Sequence, residues 1–256
     1  MMFDFIVSLL FWPLSIALPL YFQSTEVNNG LYYGLCSVFL GQCVTIGYFV
    51  LYDHKTKIQE VSQYNIKEAI IQHIFQLEGF SLLFLYLCVT WNYHLLPNSY
   101  YQNGVIQYER VFLQLLCQDF IQYIMHRTEH DIKWLYVWTH KNHHVFVKPN
   151  MFHSFQGSIG DTIVMIIIPL YITSCVIPVN MWSYMAFGTI YANMLTLIHS
   201  EYKHPWDDLF IEIGFGTPYD HHAHHKYFKY NFGHLFMYWD VLFGTRRIWA
   251  SEASPL

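Results

Sequence analysis

The chain has 256 residues; 54% are Ala, Val, Ile, Leu, Met, Phe, Trp, Tyr or Cys, and only 12% are Asp, Glu, Lys or Arg. A soluble domain carries roughly 25% charged residues, so the composition points to a membrane protein and excludes disordered, collagenous and coiled-coil chains. Acids outnumber bases 18 to 13, which argues against a nucleic-acid partner.

A membrane helix needs about 20 mostly apolar residues to cross roughly 30 Å of hydrocarbon. Phe5 to Phe22 is uncharged and broken only by Pro13 and Pro19. The opening MMFD lacks the basic n-region of a signal peptide, so a retained first span is expected. Leu31 to Tyr52 is a second uncharged run, Ala69 to Trp91 a third containing Glu78, and Val105 to Met125 a fourth with Glu109 and Arg110 near one end. Thr162 to Ser200 contains no Asp, Glu, Lys or Arg. As one helix it would measure about 58 Å, nearly twice the membrane core, so the turn-forming Pro178-Val179-Asn180 should fold it into a hairpin.

The expected fold class is therefore an all-α integral membrane protein, a single domain over 1–256. It has about four transmembrane helices plus a helical hairpin, and a helical cap holding a histidine-rich site. Residues 1–117 are mainly spans, 118–247 carry the chemistry and 248–256 form a C-terminal tail. Basic residues set the orientation. None precedes Lys55; others follow the second span, the fourth span and the hairpin, while Asn92 to Gly104 has none. Alternating spans then place both termini and the histidine-rich region on the cytosolic side. The five cysteines form no CxxC and sit in apolar stretches, as small buried hydrophobes do.

Histidine is the anomaly: 13 of 16 fall between His126 and His234. His126 and His130 are spaced i, i+4. His140, His143 and His144 are spaced i, i+3, i+4, and His221, His224 and His225 repeat that pattern. Residues three and four apart share a helix face, so each cluster can aim its rings at one point. A four-coordinate zinc site would use half of these eight; two metals are the economical expectation. Imidazole suits Zn, Cu, Fe and Ni alike. The paired Glu-x-x-His strings of soluble di-iron bundles are missing, apart from Glu201 to His204. HExxH, GxSxG and P-loop signatures are absent.

His126-Arg127-x-x-His130, Leu135-Tyr136-x-x-x-His140-Lys141-x-His143-His144 and His221-x-x-His224-His225 resemble the three histidine boxes of the fatty acid hydroxylase/sterol desaturase superfamily. Asp119 and Tyr123 precede the first box and Pro149 follows the second. Asn231-Phe232-Gly233 and Tyr238-Trp239-Asp240-x-x-Phe243-Gly244-Thr245 follow the third. His199-Ser200-x-Tyr202 is more similar to the sterol-oxidising members.

The resemblance implies two Fe ions held by histidine, with zinc possible in purified protein, that use O2 on an unactivated C–H bond. It also implies electrons from NAD(P)H through a reductase and a cytochrome-b-type haem protein, and residence in the endoplasmic reticulum or another organelle membrane. The metal ligands would be His126, His130, His140, His143, His144, His199, His221, His224 and His225, with His204 and His222 as weaker candidates and His153 weaker still. His234, with His54, His73 and His94, is expected at the membrane interface.

Metal-bound histidines donate their other N–H to a carboxylate or carbonyl. Asp119, two turns before His126, is the favoured acceptor; Glu129, Asp131, Glu201, Asp220 and Asp240 are further candidates, Asp220 also as a helix N-cap. Lys226, Lys229, Arg246 and Arg247 suit anionic headgroups or an acidic partner. The expected activity is hydroxylation, methyl oxidation or desaturation of a sterol or long-chain lipid taken from the bilayer. The alternatives are a catalytically inactive family member serving as a structural or lipid-binding subunit of a membrane complex, and a His-only zinc hydrolase or metal transporter.

Overall fold

The computed structural model describes residues 2–20, 30–52 and 57–248; Lys55 and all of the C-terminal tail except Ile248 lie outside them. Every element among the described residues is helical, and the only ladder pairings are two isolated bridges, Lys57 with Tyr202 and Phe215 with Phe236.

The first two apolar runs form α1 (Met2–Leu20) and α2 (Gly30–Tyr52). The third run is helical but bent. α3 (Ile66–Phe75) stops at Gln76, whose ψ of 133° is extended, and the chain passes through a π turn at Leu77–Ser81 into α4 (Leu82–Asn92). The carbonyl of Glu78, freed by the bend, accepts from the Thr162 hydroxyl. A buried carbonyl that leaves its helix ladder needs such a partner.

The fourth run departs from expectation. α5 (Tyr108–Asp131) starts later than Val105 and runs past both box-one histidines. Gln114, Gln118, Gln122 and His126 recur every fourth residue and are all buried, so the helix carries a polar stripe into the core. Each glutamine is bonded there: Gln114 donates to Tyr100 Oη and the Ile177 carbonyl, Gln118 accepts from Thr173, and Gln122 accepts from Tyr191. α5 buries this polar stripe while Phe112, Leu113, Phe120 and Ile124 on its other side stay exposed; among the described residues, the helices long and apolar enough to cross a membrane are Gly30–Leu51, Ile66–Asn92 and Ile159–Val176.

α6 (Lys133–Trp138) leads into a 3-10 turn over His140–Val145. The hairpin forms as expected. α7 (Ile159–Thr162) continues through a π turn at Ile163–Ile167 into α8 (Ile168–Val176). After the turn, Asn180 caps α9 (Met181–Ile198) by accepting from the Ser183 amide at 3.0 Å. α9 is the axis of the molecule: α1, α2, α5 and later helices pack on it, and only Gly188 and Ile190 along it are not fully buried. Three short helices close one end: α10 (Asp207–Ile213), α11 (Pro218–Tyr227) and α12 (Tyr238–Leu242). The C-terminal ends of α5 and α9 meet α11 and the 3-10 turn at that end, and the histidines gather there.

Candidate metal centre

Nine of the expected ligands come together, in two groups. Nitrogens of His126, His130, His140, His144 and His224 lie within 4.8 Å of one another, and so do those of His143, His199, His221 and His225. The expectation that each box aims at one point is corrected. Box two sends His140 and His144 to one group and His143 to the other; box three sends His221 and His225 to one and His224 to the other. In α11 the i, i+4 pair stays together and the residue between them turns away by one helical step. In box two the same division arises from a 3-10 turn. The groups adjoin, with the His144 and His225 ring centroids 4.7 Å apart.

The hydrogen bonds fix the ring tautomers. Nδ1 of His126 donates to the Phe232 carbonyl at 2.9 Å, of His143 to Gln156 at 2.8 Å, of His199 to Leu195 at 2.7 Å and of His224 to Tyr230 at 2.8 Å. Nδ1 of His140 donates to Asp161 Oδ1 at 2.7 Å. With the proton on Nδ1, each neutral ring presents a lone pair at Nε2. Yet Nε2 of His126 stands 2.9 Å from Nε2 of His140, and Nε2 of His143 stands 3.4 Å from that of His199. Two lone pairs at such distances repel unless a cation lies between them. Nitrogens bound ~2.1 Å from one ion lie ~3.0 to ~3.4 Å apart at octahedral and tetrahedral angles, so the donor set fits a transition-metal ion in each group.

Burial keeps the rings neutral. It lowers His143 to about 4 and His130 to about 3, and pushes His140, His144, His221, His224 and His225 well below the ordinary range. Neutral imidazole is the form that binds metal. In the unfolded chain these rings protonate near pH 6.5, whereas folded His143 stays neutral down to about pH 4 and the others titrate below the ordinary range. The stability these neutral rings contribute to the metal-free protein is therefore fully present above about pH 7 and is lost as the pH falls from 6.5 toward 4, each such ring steepening the loss by about 1.4 kcal/mol per pH unit. Thermal melts of chelator-treated protein at pH 8, 6 and 5 should show a falling midpoint; a flat profile would contradict it.

The carboxylates are placed differently from expectation. Asp119 is hydrogen-bonded to no histidine ring; it accepts from the backbone amides of His234, Leu235 and Phe236 and from Trp239 Nε1, at 2.7 to 3.1 Å. Asp240 accepts from the amides of Phe232 and Gly233. Together they fix the segment whose Phe232 carbonyl holds His126. Asp220 caps α11 through Thr217 and pairs with Arg246, so Arg246 is committed internally. Glu201 accepts from Tyr64, and Asp131 pairs with Arg127. Among the described residues, the one carboxylate hydrogen-bonded to a ring of the two groups is Asp161, which sequence reasoning passed over. Its only local signal is Ser158-Ile159-Gly160-Asp161, a capping string, and Ser158 does cap that helix. Buried Glu129 stands 3.8 Å from His140 Nδ1, and burial raises its pKa.

Two weaker candidates fall outside both groups. His204 is hydrogen-bonded to Tyr48 Oη at 2.7 Å and stacked on Trp206. His222 meets Gln59 at 2.5 Å and the His199 carbonyl at 3.4 Å, bracing a ligand's backbone. His153 accepts from the Asn150 amide and stacks on Phe146. His234 was expected at the membrane interface but is buried, with ring centroids of His126 and His221 at 4.9 and 5.3 Å. His73 is likewise buried, between Gln42 and Phe152.

The comparisons with known proteins place this histidine-lined centre in a family. The fatty acid hydroxylase family model matches residues 111–245. The chain belongs to the fatty acid hydroxylase family. It is 46% identical over 229 residues to the alternative squalene epoxidase of Phaeodactylum tricornutum, covering 85% of this chain and 66% of that protein. It is 27% identical to a putative Delta(7)-sterol-C5(6)-desaturase of Arabidopsis thaliana, over 59% of this chain and 52% of the relative. A methylsterol monooxygenase of Aspergillus fumigatus is 29% identical, over 53% and 46% respectively. The chain thus spans between about half and two thirds of the length of these relatives. No solved structure matches it.

Proposed function

We propose that the chain is an O2-dependent lipid oxidase with two iron ions, one in each histidine group, acting on a sterol or its long-chain precursor. The observation that carries this is the facing of Nε2 lone pairs across both groups, with Nδ1 protons committed to carbonyls and to Asp161. Bound there, iron would supply the redox chemistry that side chains lack. The chain's own part is to fix ring tautomers, exclude water through burial and set the substrate against the site. The 46% relative makes epoxidation of a squalene-type alkene the first reaction to test, beside hydroxylation, methyl oxidation and desaturation. Electrons would come from NAD(P)H through a reductase and a cytochrome-b-type partner. The centre would face the cytosol, most simply at the endoplasmic reticulum.

The test is purified, iron-loaded protein in lipid nanodiscs, given 18O2, a chemical reductant and squalene, a Delta(7)-sterol or a 4-methylsterol in turn. Incorporation of one labelled oxygen, or a new double bond in the sterol, supports the assignment. Substrates all recovered unchanged, from protein carrying its metal, would favour the inactive-subunit alternative.

A further inference from the structure

Two spaces inside the molecule share a wall. The inner one, about 30 Å³, lies against His143, His199, His234 and Gln122. The outer one, about 60 Å³, lies among Val38 of α2, Phe84 of α4, Leu170 of α8 and Gly188 of α9. Phe155 and Ile166 line both, so these two side chains are the partition between the apolar space and the histidines. The helices around the outer space include all three that are long and apolar enough to cross a membrane.

Gly188 marks the outer space as built. It interrupts the otherwise buried face of α9, and a Cβ placed on it would meet no atom within 4 Å. Glycine is costly in a helix interior, and here it keeps room open rather than admitting a neighbouring backbone. The partition is held from behind. Phe155 packs on Phe80 with centroids 4.5 Å apart, and a Cβ on Gly79 would lie 3.1 Å from Phe155 Cβ and 3.2 Å from its carbonyl oxygen. Bent α3–α4 thus carries its glycine where the Phe155 backbone approaches most closely.

We propose that the two spaces are one substrate passage, closed at rest by the Phe155 ring, which admits the end of a slender acyclic hydrocarbon chain from the bilayer. The proposal rests on the oxidase assignment above and narrows its substrate. The two spaces together are smaller than the ~150 Å³ cavity that holds one benzene ring. A single chain can enter by rotation of Phe155; a fused-ring nucleus would have to part α9 from α4. The leading end carries no polar group, because the outer walls offer aliphatic and aromatic side chains and an unpaired polar group is costly there.

The experiment is equilibrium binding of radiolabelled squalene to the full chain in nanodiscs, without reductant, with cholesterol as competitor and metal content measured in parallel. Squalene should bind saturably and cholesterol should compete at least tenfold more weakly. Gly188→Phe should weaken squalene binding tenfold or more with metal content unchanged, and Gly188→Ala should do so less. Gly47→Phe on α2, where a Cβ also meets nothing but which does not line the outer space, should bind squalene as the unaltered chain does. Absence of squalene binding, wild-type binding by Gly188→Phe, equal loss in Gly47→Phe or equal competition by cholesterol would each overturn the passage. Binding as expected with no oxygen transferred would leave the passage standing and remove the oxidase assignment.

Discussion

Replacing His225 with Ala is expected to lower the metal content from two ions per chain to one and to reduce turnover by about 10³-fold or more, the size of effect that follows when several kcal/mol of metal-derived stabilisation are lost. His225 belongs to the group with four nitrogens, where its Nε2 stands 3.0 Å from that of His221. Three imidazoles remain, and the neighbouring five-histidine group keeps all its donors. The ring is fully buried in α11, so a folded, membrane-inserted variant is a necessary control, checked by protease resistance. His222→Ala is the contrast: its ring sits on the same helix, one position after His221, but outside both groups, and it should keep both ions. Equal metal content in His225→Ala and the unaltered chain would refute the assignment of that group.

Asp119→Ala is expected to damage the protein in a different way, through stability. Its carboxylate is fully buried and gathers three consecutive backbone amides and one indole N–H. Removing it leaves these donors without a partner, at about 1–3 kcal/mol for each one left unsatisfied. The total should be at least about 3 kcal/mol, enough to unfold a marginal domain. Asp119→Asn keeps one acceptor oxygen and should be milder. In both, the loop over 232–236 loosens and His126 loses the fixed Phe232 carbonyl. The metal of the five-histidine group should therefore leave at lower chelator concentration than the other. If Asp119→Ala melts with the unaltered protein, the anchoring role is wrong.

The histidine boxes were legible because helical spacing puts like residues on like faces, and eight imidazoles in three clusters have few other uses. Their division between two groups was not. It depends on a one-residue rotation around α11 and on a 3-10 turn at His140–Val145, and neither leaves a mark in spacing alone. The hairpin could be placed from Pro178-Val179-Asn180, since an uncharged run of that length cannot cross once. α5 could have been read better: Gln114, Gln118, Gln122 and His126 repeat every fourth residue, a buried polar stripe that a count of charged residues overlooks. Asp119 was expected to hold a ligand ring, but its carboxylate binds the amides of His234, Leu235 and Phe236 and the Trp239 indole instead. Its true partners lie more than a hundred residues away in the chain, and such contacts are set by tertiary packing. Asp161 reaches His140 for the same reason.

The most direct measurement is the iron content of chain purified anaerobically from iron-replete cells, with both histidine groups intact and the protein still folded in lipid. Two tightly held ions per chain, one lost on disrupting either group, is the predicted result. Folded protein that retains no transition metal, or that holds its full complement after His224→Ala and His225→Ala together, would contradict the account.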